Sequence, residues 1–159
     1  MKSSAPVLER ERTSVPPEKK RRICFVCTGN TCRSPMAAAL YNYLHENEPT
    51  FAVSAGLSAN EGEPIAFHAL LALKGRGIPS TEENCYEAHT ATPLTEKMLE
   101  ESDQLYALTS RHYEILCALF PAYTEKFRTL GEIADPYGGT LALYMQTLTE
   151  IEEALSCLN

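Results

Sequence analysis

Cys27 and Arg33 stand six residues apart in the run Ile23-Cys-Phe-Val-Cys-Thr-Gly-Asn-Thr-Cys-Arg-Ser-Pro35, which pairs a nucleophile with a fixed cationic fork. A thiolate is intrinsically very nucleophilic, and a guanidinium presents donors whose geometry matches two oxygens of a phosphoryl group at once. Between them lie Gly29 and Asn30, residue types that tolerate positive φ and let the chain curve tightly. A loop curved in this way and ending at a helix start aims several backbone N–H groups at one point. That point is a nest for a tetrahedral oxyanion, strengthened by the helix dipole. The same positive end favours the thiolate over the thiol. The chemistry indicated is attack by Cys27 on a bound phosphate, with Thr28, Gly29, Asn30, Thr31, Cys32 and Ser34 forming the rest of a CX5R cradle.

Other uses of the cysteines fit less well. Cys24-x-x-Cys27 has a zinc spacing, but that spacing works on a turn. In an apolar strand, residues three apart face opposite sides. The six cysteines come without a secretory marker, in a chain long enough to bury a core without staples, so thiols are expected rather than structural disulfides. Cys32 lies near Cys27 through the turn. A reversible Cys27–Cys32 disulfide that shields the nucleophile from over-oxidation and a plain packing role for Cys32 both remain open.

The elements that must position this corner are legible in the hydrophobic pattern. Ile23–Cys27 is short and apolar, as a buried strand is, and Ser34-Pro35 reads as N-cap and first helical residue. Met36, Ala39, Leu40, Tyr43 and Leu44 then follow at helical spacing. Further strands are expected at 51–56, 104–109 and 127–130, and further helices at 64–75, 94–102 and 111–120. A last helix carries Leu141, Tyr144, Leu148, Ile151 and Leu155 on one stripe. Alternating strands and helices predict an α/β fold with a parallel sheet covered on both faces. Ligands of such sheets bind beyond the carboxyl ends of the strands, where Cys27 stands.

Composition narrows the partners. The chain of 159 residues is 44% hydrophobic and 22% charged, ordinary for one globular domain. Residues 1–22 hold seven of the fourteen Lys and Arg and three of the acids. They read as a flexible basic extension, with 23–159 as the folded domain. The remainder carries seven basic against eighteen acidic residues, a net of −11, which argues against nucleic acid as a partner. No apolar stretch approaches the ~20 residues of a membrane span. A cytoplasmic monomer without cofactor or metal is expected.

Cys27-Thr-Gly-Asn-Thr-Cys-Arg-Ser-Pro35 resembles the signature loop of the low-molecular-weight protein tyrosine phosphatases. The likeness runs across about 23–159 through Ser54-Ala-Gly56, His89-x-Ala91 and Asp135-Pro-Tyr-Gly-Gly139. It implies a flavodoxin-like, doubly wound, four-stranded parallel sheet with helices on both faces, a cysteinyl-phosphate intermediate and no metal. Its substrates would be phosphorylated proteins. Displacing a phosphoryl group needs a proton donor, and hydrolysing phosphocysteine needs a base. Asp-Pro is by itself a common turn start, but the resemblance implies that Asp135 is the general acid. Tyr137 would wall the substrate cleft. Asn30, Ser34, Ser54 and His89 match a hydrogen-bonded group that holds the loop, with Asn30 left-handed and Ser34 donating to the departing thiolate. A turn role for Asn30, a purely capping Ser34 and an exposed His89 are the plainer alternatives. His45, His68 and His112 read as surface or packing residues.

Members acting on phosphotyrosine usually carry bulky aliphatic residues at the positions of Thr28 and Thr31. The threonines here, with Gly138-Gly139, look like the bacterial protein arginine phosphatase branch, which would make Thr31 a selectivity residue. A small polar side chain leaves room for guanidinium nitrogens where isoleucine would press on them. Tyrosine phosphatase is the alternative. An arsenate reductase would need two further cysteines about seven apart, which Cys85, Cys117 and Cys157 do not supply. A silent phospho-binding module would usually have lost the thiol, the arginine or the acid.

Overall fold

The computed structural model describes residues 20–158. Its strands are β1 (Arg21–Cys27), β2 (Thr50–Gly56), β3 (Gln104–Ala107) and β4 (Phe127–Thr129). Its helices are α1 (Arg33–Leu44), α2 (Phe67–Gly75), α3 (Glu96–Glu101), α4 (Ser110–Leu119) and α5 (Leu141–Ser156), with 3₁₀ turns at Tyr86–Ala88 and Pro121–Lys126. Among the described residues the four strands are all parallel, in the order β2-β1-β3-β4. This is the α/β sheet that the alternating pattern predicts. The chain leaves β1 toward β2 on one side and later returns to β3 on the other. The carboxyl end of β1, where Cys27 pairs with Gly56, therefore sits at the topological switch point.

Alternation along β1 feeds two cores. Ile23, Phe25 and Cys27 join Met36, Leu40, Leu73, Leu148 and Ile151 from α1, α2 and α5. Cys24 and Val26 join Leu99, Leu105, Leu116 and Phe127 beneath α3 and α4. Helices therefore cover both faces of the sheet. Each fully buried large side chain contributes on the order of 1.5–3 kcal/mol. Burial also pushes the Cys24 thiol up to about 12, against the pull of Arg22, so this cysteine stays a protonated packing residue. The apolar stripe of α5 is widened by Thr147, buried because its hydroxyl donates to the Leu143 carbonyl at 2.9 Å.

Several boundaries differ from the sequence reading for local reasons. The basic extension expected over 1–22 falls mostly outside the described residues, but Arg21 and Arg22 belong to β1. Arg21 N–H donates to the Pro49 carbonyl at 2.9 Å, and Arg22 lies over the Phe51 ring at 5.4 Å while pairing with Glu101 at 3.7 Å. The α2 helix starts at Phe67 rather than 64, because Pro64 bridges Thr90 and the Ala66 N–H is taken by the Thr31 carbonyl at 2.9 Å. Thr95 and Thr109 cap α3 and α4 through side-chain bonds at 3.2 and 3.1 Å, which trims the first and begins the second one residue early.

Candidate active site

The strand-to-helix corner is built as a cradle. Asn30 takes the left-handed conformation, with φ 60°, where few side chains other than a short amide are comfortable. Gly29 does not use positive φ. A Cβ there would meet nothing nearer than Thr31 Oγ1 at 4.0 Å, so the turn itself does not require a glycine at this position. Gly56 is the glycine on which the packing depends. A Cβ on it would stand 2.6 Å from the Thr28 carbonyl oxygen and 3.0 Å from Asn30 Cβ. The loop leans on β2 as closely as a backbone can.

Asn30 organises the interior of the turn. Its Nδ2 donates to Ser34 Oγ at 2.7 Å and to Ser54 Oγ at 2.9 Å, while its Oδ1 accepts from Thr92 N–H at 2.8 Å. Its carbonyl accepts from His89 Nε2–H at 2.8 Å, which fixes the proton on that ring nitrogen. Burial lowers the His89 pKa, opposed by this bond to Asn30, so the ring is held neutral. Asn30, Ser34, Ser54 and His89 thus form one connected group beneath the loop.

Ser34 departs from the expected helix cap. The first helical residue is Arg33 and the N-cap is Cys32, whose carbonyl accepts from Met36 N–H at 3.1 Å with no side-chain cap. The Ser34 hydroxyl is drawn instead to the sulfur of Cys27, at 2.9 Å. Because Asn30 already donates to Ser34 Oγ, the serine proton is free to go to sulfur, which is the arrangement that stabilises a thiolate. Cys27 itself is 2% exposed, at the floor.

Arg33 is 6% exposed and anchored through Nη1–H to the Ile133 carbonyl at 2.9 Å. Its Nη2 lies 3.6 Å from Asp135 Oδ2, and its buried Nε–H has no partner among the described residues. A buried guanidinium with an unspent donor suits an oxyanion. Asp135 is half exposed, and its Oδ1 accepts from the Tyr137 N–H at 3.1 Å, a turn that aims the carboxylate back toward the arginine. Tyr137 stands out into solvent, 72% exposed, at the rim. Gly138 is left-handed at φ 80°, and a Cβ on Gly139 would strike Leu143 Cδ2 at 2.5 Å. These glycines let the acid segment fold tightly onto α5.

Cys27 to Arg33, Asp135 and Tyr137 line one cleft of about 240 Å³, together with Asn60 and Glu63. Thr31 is largely buried in its wall, with Oγ1 3.7 Å from Cys32 Sγ. Cys32 also meets the Tyr144 hydroxyl at 3.2 Å, and burial raises its pKa against the bonds from Tyr144 and Thr31. Ser54 and His89 lie behind the loop rather than on the cleft surface.

His112 is a loop contact that sequence reading assigned to surface or packing. It is 6% exposed, with Nε2 2.8 Å from Thr28 Oγ1 and Nδ1 2.8 Å from Thr109 Oγ1. Burial and then the nearby Arg33 lower its pKa to about 4, so the ring is neutral near pH 7. His68 meets the segment that follows Tyr137, its Nδ1 lying 3.2 Å from the Gly139 carbonyl oxygen. Neither histidine carries a local signal, because each reaches its partner across more than 70 residues of chain.

The model of the family "Low molecular weight phosphotyrosine protein phosphatase" matches residues 22–159. The protein-arginine-phosphatase of Bacillus subtilis (strain 168) is 38% identical over 146 residues, 84% of this chain and 91% of that protein. A solved YwlE arginine phosphatase mutant with a phosphorylated active-site serine superposes with a TM-score of 0.76 at 38% identity, covering 84% of this chain and 90% of that one. The low molecular weight protein-tyrosine-phosphatase PtpB of Staphylococcus aureus is 28% identical over 141 residues, 82% of this chain and 91% of that protein.

Proposed function

The chain belongs to the low molecular weight phosphotyrosine protein phosphatase family, and from that premise we propose that it removes phosphate from phosphoarginine side chains of proteins. The observation that carries the substrate is the cleft wall, where Thr28 and Thr31 put small hydroxyl-bearing side chains around the floor instead of branched aliphatic ones. The 38% identity to a protein-arginine-phosphatase supports the same choice.

In this reading the phosphoryl oxygens sit in the loop against its backbone N–H groups and Arg33. The Cys27 thiolate attacks phosphorus, the P–N bond breaks, and Asp135 gives its proton to the departing guanidine nitrogen. A water then attacks phosphocysteine and passes a proton back to Asp135. The S–P bond breaks, and inorganic phosphate leaves as the Ser34 hydroxyl donates to the regenerated thiolate. Asn30, Ser54 and His89 hold the loop in its curve, Gly29 and Cys32 complete it, and Tyr137 flanks the incoming side chain. No step calls for a metal or cofactor. The protein acts as a monomer in the cytoplasm, without nucleic acid. No helix among the described residues is long and apolar enough to cross a membrane.

The test compares phosphoarginine and phosphotyrosine peptides at neutral pH, with wild type and Thr31→Ile. The reading expects phosphoarginine to be preferred and Thr31→Ile to move preference toward phosphotyrosine. A wild type that hydrolyses phosphotyrosine and leaves phosphoarginine untouched contradicts it. Tyrosine phosphatase is the second reading, favoured by the exposed ring of Tyr137, which could stack on an aromatic substrate.

A further inference from the structure

Glu63 is a cleft residue that the mechanism does not use. It lines the same cleft as Cys27, Arg33 and Asp135, and its side chain is exposed there. The backbone that carries it is held on both sides. Glu63 N–H donates to the Asn60 carbonyl at 3.1 Å, and its own carbonyl accepts from Ala91 N–H at 2.7 Å. Gly62, left-handed at φ 90°, donates from N–H to the Ala91 carbonyl at 3.0 Å, and Pro64 bridges Thr90. The turn is then tied to the phosphate loop twice, through His89 to Asn30 and through Ala66 N–H to the Thr31 carbonyl. The backbone that carries this carboxylate is thereby held at the mouth of the cleft.

Among the described residues no cation answers that carboxylate. Asp135 pairs with Arg33, and the other charge pairs among those residues join Arg22, His45, Lys74, Arg76 and Lys97 to acids elsewhere. Among the described residues none reaches Glu63. An unanswered negative charge beside an oxyanion cradle weakens the binding of any phosphate ester, and most of all a dianion. It helps only a substrate that brings a positive charge to the mouth while its phosphate fills the floor. Phosphoarginine does so. Its guanidinium keeps a positive charge and carries N–H donors that match a carboxylate, so its side chain is net less negative than phosphotyrosine.

We propose that Glu63 is a specificity-determining residue whose carboxylate receives the guanidinium of phosphoarginine at the cleft mouth and repels the dianion of phosphotyrosine. This rests on the arginine-phosphatase reading and adds a second, electrostatic discriminator to the steric one at Thr31. The two act at different depths, Thr31 in the wall of the floor and Glu63 at the rim.

The experiment measures kcat and KM for matched phosphoarginine and phosphotyrosine peptides with wild type and Glu63→Gln, at low and high salt. Inhibition by inorganic phosphate serves as a probe of the cradle alone. Glu63→Gln keeps the size and the backbone bonds while removing the charge. It should raise KM for phosphoarginine about fivefold with little change in kcat, as expected for a partly exposed charge pair. It should leave phosphotyrosine unchanged or improved, bind inorganic phosphate at least as tightly, and flatten the salt dependence of the ratio. A merely structural role would lower both substrates together and weaken phosphate. An unchanged ratio in a wild type active on phosphoarginine overturns the role of Glu63 alone. A wild type inactive on phosphoarginine overturns the arginine reading and this role with it.

Discussion

Ser34 Oγ lies 2.9 Å from the sulfur of Cys27, held there by the hydrogen bond it accepts from Asn30 Nδ2 at 2.7 Å. A residue whose type and position suit a helix cap turns its hydroxyl to that sulfur instead. In the proposed mechanism this proton meets the atom that carries negative charge before attack and again when phosphocysteine breaks down.

Removing that hydroxyl should therefore slow the breakdown of phosphocysteine more than substrate binding. Ser34→Ala is expected to lower kcat about ten- to hundredfold with a smaller change in KM, and to raise the steady-state fraction of phosphoenzyme. Rapid-quench measurement of enzyme-bound phosphate reads this directly. A fall in activity with no accumulation would place the role of Ser34 in the first step only.

Gly56→Ala puts a methyl group against the Thr28 carbonyl at 2.6 Å, a contact that backbone must move to relieve. The displaced atoms belong to the oxyanion cradle. Stability should fall by about 1–3 kcal/mol, and affinity for inorganic phosphate should fall with it. Urea unfolding and phosphate inhibition measured on one preparation test both. Normal phosphate affinity would show that the loop tolerates the shift.

Asp135→Asn keeps the shape of the acid loop but removes the proton. Phosphoarginine turnover should drop about 10²–10⁴-fold. An aryl phosphate with a good leaving group, such as p-nitrophenyl phosphate, should lose less, since its departure needs less protonation. Equal losses on both substrates would argue against an acid role.

His112 makes stability depend on pH with a definite sign. Its folded pKa, about 4, is below the ordinary 6.5 because burial and Arg33 oppose the charged ring. Between those values the unfolded chain binds the proton and the folded one does not. The stabilisation is complete above 6.5 and is lost as pH falls toward 4, amounting to about 3 kcal/mol over that window. Urea midpoints taken from pH 7 to 4 should show the loss in wild type and a smaller one in His112→Gln. Parallel curves for the two proteins would assign the acid loss to other groups.

What the sequence made legible is what lies close together along it. The strand, the turn and the helix start around Cys27 occupy 13 consecutive residues, so spacing alone implies the cradle, and Asn30 takes the left-handed place expected of its type. The sheet followed from alternation and length, since Phe25 and Cys24 face different cores as adjacent strand residues must. The cap expected at Ser34 is not formed because cap chemistry and thiolate chemistry use the same hydroxyl, and only the fold shows which partner is nearer. Gly29 is a type that tolerates positive φ, yet the turn does not use it there. Neither the contact of His112 with the loop nor the place of Glu63 in the cleft is legible in the sequence. His112 reaches Thr28 across 84 residues of chain and Glu63 is carried by an ordinary polar turn, so neither leaves a mark in its own neighbourhood.

The most direct measurement of the central claim is rapid quenching of the enzyme during turnover of a phosphoarginine peptide, followed by mass spectrometric location of the bound phosphoryl group. Cys27→Ala is the proper blank, since a related arginine phosphatase with serine substituted for its active-site cysteine carries phosphate on that serine. The account predicts a transient phosphoryl group on the peptide containing Cys27, no turnover in Cys27→Ala, and more trapped phosphate in Ser34→Ala. Turnover that persists without Cys27, or phosphate that passes to water with no phosphocysteine formed on the way, would contradict it.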